Sequence, residues 1–171
     1  SLTRALTFAE SEAGIDRVAT RFLCGRLALR MGDPLGSRVH LDAGLEAAAE
    51  GDPESYTPML MAMRARADII HGDDDSGRAG LAEARRLLDS MTPLRRGEVM
   101  VVMALAHQAL SEPEQALVLA REAAQIAAQR GFRLWELVAH SIVAVCVDSQ
   151  ESDSAREQAQ TIARAICSEL P

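Results

Sequence analysis

Residues 104–127, ALAHQALSEPEQALVLAREAAQIA, read as two helices folded back on one another. Ala104 and His107 share one helix face, and Ser111 to Pro113 break the chain. Ala116, Ala120 and Ala123 then line the facing side of the next helix. Small side chains at helical spacing let two backbones approach closely. A chain built on such hairpins packs helix against helix and has little use for a sheet.

Composition agrees. Apolar residues make up 48% of the 171 and aromatics only 3%, so the core must be closely spaced aliphatic helices. Lysine and asparagine are absent, which leaves arginine as the cation. The net charge of −7 and scattered arginines argue against direct contact with nucleic acid, which wants a basic face. The longest apolar runs, such as Val99 to Leu105, fall far short of the roughly 20 residues of a membrane span. Cys24, Cys146 and Cys167 lie in helical patterns and read as core residues of a reducing cytoplasm. Cys146 and Cys167 fall on adjacent helices, and their pairing is left open.

The periodicity predicts nine helices and no strand. They are Leu2 to Ala13, Ile15 to Met31, a helix capped by Ser37 and ending at Glu50, and one opened by Asp52-Pro53 that runs to His71. Gly77 to Met91 follows an acidic loop, Gly72 to Ser76. Then come Leu94 to Leu110 behind Thr92-Pro93, a helix ending at Arg130, Phe132 to Asp148, and Ser152 to Leu170. Ser111-Glu112-Pro113-Glu114 has the spacing of a capping box. Gly131 is placed to end the seventh helix. Linkers this short force antiparallel neighbours. The opening inside one helical pattern and the end at the edge of another suggest one domain, residues 1–171, excised from a longer chain.

The hairpin recurs. Ala104, His107 and Ala116 follow Ala67, Ile70 and Ala79 by 37 residues each. Helix openings near Ile15, Pro53, Pro93 and Phe132 are spaced by 38, 40 and 39. With Ala104, His107, Ser111, Ala116, Ala120 and Ala123 in its conserved places, the chain resembles the tetratricopeptide repeat. The early tryptophan and closing proline are missing, and the period exceeds the usual 34. These departures are similar to the long, degenerate repeats of large ATP-dependent LuxR-type regulators such as the maltose activator. The phrase AREAAQIAAQRGFRLWELVAHSIVAV, residues 120–145, has the same flavour. The resemblance spans Ile15 to Leu170. It implies an all-α, right-handed α-solenoid of about four hairpins plus one extra N-terminal helix. It also implies a concave groove of inner helices, onto which Arg64, Asp68, His71, Glu98, Gln108, Ser141 and Asp148 map.

No motif points to catalysis. His71 with Asp73, Asp74 and Asp75 is the densest polar cluster, but Ala84 stands where a calcium loop needs glutamate. No paired-histidine helix, Cys-x-x-Cys or glycine-rich phosphate loop occurs. Met59, Met61, Met63, Met100 and Met103 sit on two inner helices and read as core filling rather than an adaptable surface.

Three functions follow in order. The first is a non-catalytic interaction domain of a multidomain bacterial regulator, cytoplasmic and without cofactor, binding a protein segment or small effector. The second is a self-association module pairing through its end helices as a homodimer. The third is a small metal-dependent enzyme built on the acidic loop.

Overall fold

The computed structural model describes residues 15–51, 56–147 and 150–168. Among them are eight α-helices and no strand. The expected first helix, Leu2 to Ala13, and the Asp52-Pro53 opening lie outside the described residues, as does the groove candidate Asp148. Internal contacts divide the chain into two compact units, Ser1–Leu88 and Asp89–Pro171.

In the first unit the helices are α1 (Ile15–Arg30), α2 (Pro34–Glu50), α3 (Thr57–His71) and α4 (Asp74–Leu87). In the second they are α5 (Pro93–Ala109), α6 (Pro113–Arg130), α7 (Arg133–Cys146) and α8 (Gln150–Ser168). Within each unit every helix packs on the next, and the first also touches the third. Pro34, Pro93 and Pro113 stand in the first turns of α2, α5 and α6, where a missing N–H costs nothing.

The local signals for the turns differ from the expected ones. Asp33, not Ser37, caps α2, accepting the Gly36 N–H at 2.8 Å. Ser37 is wholly buried inside the helix. The acidic stretch is no loop: Asp73 caps α4 by accepting the Ser76 N–H at 3.1 Å, and Asp74 and Asp75 occupy its first turn. There their charges meet the positive end of the helix dipole. The capping box at Ser111 does not form; Ser111 takes φ +59°, and Glu112 occupies the cap position with its carboxylate turned to His107 Nδ1 at 2.7 Å. Gly131 ends α6 in the left-handed conformation, as expected.

These turns reveal the register of the repeat. Gly32, Gly72 and Ser111 all have positive φ, and lie 40 and then 39 residues apart. The next residues, Asp33, Asp73 and Glu112, donate their N–H groups back to the carbonyls of Ala28, Asp68 and His107 at 3.0, 2.9 and 2.9 Å. Counting on from each turn aligns Ser37 with Gly77 and Ala116, Leu41 with Leu81 and Ala120, and Gly44 with Ala84 and Ala123, and all nine are buried. The 37-residue offset is therefore displaced by two. Ala79 is exposed, whereas Ala116, its expected counterpart, is buried. Gly77 and Gly80 make the close approach instead, against Ile69 and Ala65 of α3.

The cores are aliphatic. Leu41, Leu60, Ala62 and Ala67 are sealed from water in the first unit. Val99 to Ala104 are buried around the whole circumference of α5, with Ala116, Ala120, Ala123 and Ala139. Burial of each larger side chain stabilises the fold by about 1.5–3 kcal/mol. Met59, Met63, Met100 and Met103 are buried among them, as core residues.

Candidate functional site

Four of the side chains expected to line a groove, Arg64, Asp68, Glu98 and Gln108, bond to a neighbouring helix. In the first unit Asp68 of α3 is wholly buried between two arginines. Arg64 Nη1 donates to its Oδ2 at 3.2 Å, and Arg38 Nε of α2 lies 2.9 Å from its Oδ1, out of line for a hydrogen bond. Arg64 also donates through Nε to Asp42 of α2. Burial pushes the Asp68 carboxyl above the usual carboxylate range, while Arg64 and Arg38 pull it back. Burial works against the charge on Arg64 too, but the Asp42 bond and the charges of Asp42, Asp68 and Asp73 outweigh it. A buried charge needs such partners. His71 is exposed at the end of α3.

In the second unit Glu98 of α5 accepts the indole N–H of Trp135 of α7 at 3.0 Å and an Arg95 N–H at 3.3 Å. Gln108 Nε2 donates to Cys146 Sγ at 3.8 Å, again joining α5 to α7. The exposed Ser141 hydroxyl turns back onto the Leu137 carbonyl of its own helix at 2.8 Å. Arg64 and Asp68 are thus brought together, whereas Glu98, Gln108 and Ser141 each have a different partner. Cys24, Cys146 and Cys167 are free thiols. Among the described residues no group of three His, Cys, Asp or Glu is placed to hold a metal ion. No described helix is long and apolar enough to cross a membrane.

A cavity of the second unit lies elsewhere. It is a cleft of about 810 Å³, with walls from α6 and α8 and a floor from α7. Both wall helices pack on α7. Ala124 and Ala128 of α6 and Ser154 and Ala155 of α8 leave the space between them. Glu136, His140 and Val143 come from one face of α7, spaced by four and three residues. Arg121 and Glu151 join the walls through a bidentate ion pair, with Nη2 2.6 and 2.7 Å from the two carboxylate oxygens and Nε 2.9 Å from one.

Among the described residues, three glutamates and one arginine line this cleft. His140 Nε2 stands 4.0 Å from Glu136 Oε1. Burial pushes the His140 imidazole below its ordinary range, against the pull of Glu136, so it is largely neutral at pH 7. The cleft then carries a formal charge of −2, three carboxylates against Arg121. Among the described residues Glu136 meets no arginine, and Glu157 forms no ion pair. Ala124, Val143, Ala155 and Ile162 supply apolar surface beside these acids. Polar and charged side chains outnumber apolar ones in this lining, and its volume falls in the range of about 300 to 1,000 Å³ usual for binding sites.

Among the described residues, none of those expected from the sequence to form a groove lines the cleft. Its signal was the pairing of small residues at 124 and 128 with those at 154 and 155. That pairing has meaning only once α6 and α8 are known to flank α7.

The architecture is all-helical, with each described helix packed on the next within its unit. Compared with known protein families, curated proteins and solved structures, the chain matches none.

Proposed function

We propose that the chain is a non-catalytic, tetratricopeptide-like binding domain of a multidomain bacterial transcriptional or signalling regulator. It works in the cytoplasm, without a cofactor, and touches neither nucleic acid nor membrane. It receives a protein segment or small effector and passes that event to neighbouring domains. The observation that carries this reading is the cleft of about 810 Å³ between α6 and α8. Arg64, Asp68, Glu98 and Gln108 are engaged with neighbouring helices, and this reading therefore uses the cleft in place of the expected groove.

A phage-displayed peptide library tests it, selected on the wild type and compared on Ala128→Trp. Ala128 is exposed on the cleft wall, so the indole fills the cleft without entering the core. Selected peptides should lose at least tenfold in affinity on the variant. Equal binding to both proteins would remove the cleft from the reading.

A second reading, a homodimer, rests on the exposed apolar stripe of α1. Leu23 and Leu27 are 56% and 42% exposed, whereas their repeat counterparts Met63 and Ala67 are 2% and 0% exposed. Met31 continues the stripe. Sedimentation should show a dimer that Leu27→Glu dissociates; a monomeric wild type at high concentration rejects it.

A further inference from the structure

Resting on the binding role of the same cleft, we infer that its occupant is a basic protein segment, with an arginine or lysine side chain seated between Glu136 and Glu157. The charge of the lining is negative and poorly neutralised from within. Glu136 has a side chain only 20% exposed and no arginine for a partner, so its carboxylate has lost much of its water without gaining a full counter-charge. A half-buried acid in that position is stabilised by an incoming cation. Glu157 is exposed on the α8 wall and is also unpaired.

An anionic occupant finds no such welcome. Arg121, the one cation of the lining among the described residues, already donates through Nε and Nη2 to Glu151. Neutral His140 adds no positive charge. A guanidinium or ammonium group also brings a long aliphatic stem, which packs on apolar surface while the head group meets the acids. Ala124, Ala128 and Ile162 offer that surface in the walls. The cleft is open and runs between two helices, so a chain can lie along it, which favours a protein segment over a compact cation.

Fluorescence anisotropy with the whole chain at low ionic strength, about 50 mM salt, tests this while surface charges are weakly screened. The probes are three fluorescein-labelled peptides of equal length, serine alternating with arginine, glutamine or glutamate, with spermidine as a competitor. The arginine peptide should bind at least tenfold tighter than the glutamine peptide, and the glutamate peptide should not bind. Glu136→Gln and Glu157→Gln should each weaken the arginine peptide about three- to tenfold. Glu114→Gln, an exposed acid of α6 outside the cleft, should leave it unchanged. An equal loss in Glu114→Gln would mean attraction to net charge alone and overturn the inference. Spermidine binding where the arginine peptide fails would replace the segment with a small cation. Preference for neutral or acidic peptides that Ala128→Trp abolishes would overturn the charge while leaving the cleft a binding site. Absence of binding by these probes and by the selected library would remove both.

Discussion

Arg121 and Glu151 span the cleft from opposite walls, their guanidinium and carboxylate paired at 2.6 and 2.7 Å. The pair bridges two helices that each pack on α7. Each side chain is about half exposed, at 50% and 45%. Water therefore screens the pair, and Arg121→Ala should cost less than about 1 kcal/mol in urea unfolding. Its effect should appear in binding. Removing Arg121 takes the positive charge of its guanidinium from the cleft wall and should tighten an arginine peptide, as read by anisotropy.

Asp68 should make the first unit sensitive to loss of a partner. Arg38→Ala leaves the buried carboxylate with Arg64 alone. The expected cost is about 2–3 kcal/mol, just below the usual range for a broken buried pair because the lost arginine is partly solvated. The pH dependence has a definite sign. Burial raises the folded-state pKa of Asp68, so its ionisation opposes folding. That penalty is absent below the ordinary aspartate value and sets in as pH rises through the raised one. The gap between wild type and Arg38→Ala in chemical denaturation should therefore narrow as pH falls through the raised value.

The histidines act in the other direction. Burial lowers the folded-state pKa of His140, and burial together with Arg21 lowers that of His40, opposed by Asp33. In both cases the unfolded chain binds protons more readily. Their combined effect is full stability above the ordinary histidine pKa near 6.5, declining as pH falls through it and levelling once the folded groups protonate. Urea midpoints measured between pH 7.5 and 5.5, a window of about one unit either side of that value, should show the decline. His140→Gln should flatten it.

Gly44 is expected to resist substitution. A Cβ there would lie 2.9 Å from Leu60 Cδ2 and 3.2 Å from Arg21 Cβ, where α2 meets α3 and α1. Leu60 is fully buried and has little room to give way. Gly44→Ala should cost about 1–3 kcal/mol by overpacking, despite alanine's better helix propensity. Thermal or urea unfolding reads the difference, and a stabilised variant would refute the close approach.

The helices were legible because their patterns are strong and their ends carry proline or glycine. Pro93, Pro113 and Gly131 stand where the local chemistry of helix ends puts them. The register of the repeat was harder to read, because an alanine-rich chain offers several equivalent matches. Ala67 and Ala106, or Ala65 and Ala104, fit a small-residue position as well as the pair first chosen. The positive-φ turns at Gly32, Gly72 and Ser111 separate these choices, and Ser111 has no glycine to announce it. Caps failed for a similar reason: Asp33 and Ser37 both suit a helix start, and the fold of the turn selects Asp33.

The candidate site was less legible. Arg64 and Asp68 looked available on an inner helix because their engagement depends on Arg38 and Asp42 of α2. Glu98 depends in the same way on Trp135, 37 residues further along. The cleft is built from absences of bulk on two helices that are not consecutive. No local pattern encodes it.

The location of binding is tested most directly by a backbone amide NMR titration of the labelled chain with the serine–arginine peptide. Saturable shifts should cluster at Ala124, Ala128, Glu136, His140 and Ile162, along the walls and floor of the cleft. Shifts centred on Arg64, Asp68 and Glu98, with these five unmoved, would contradict the cleft and return the site to the inner-helix groove.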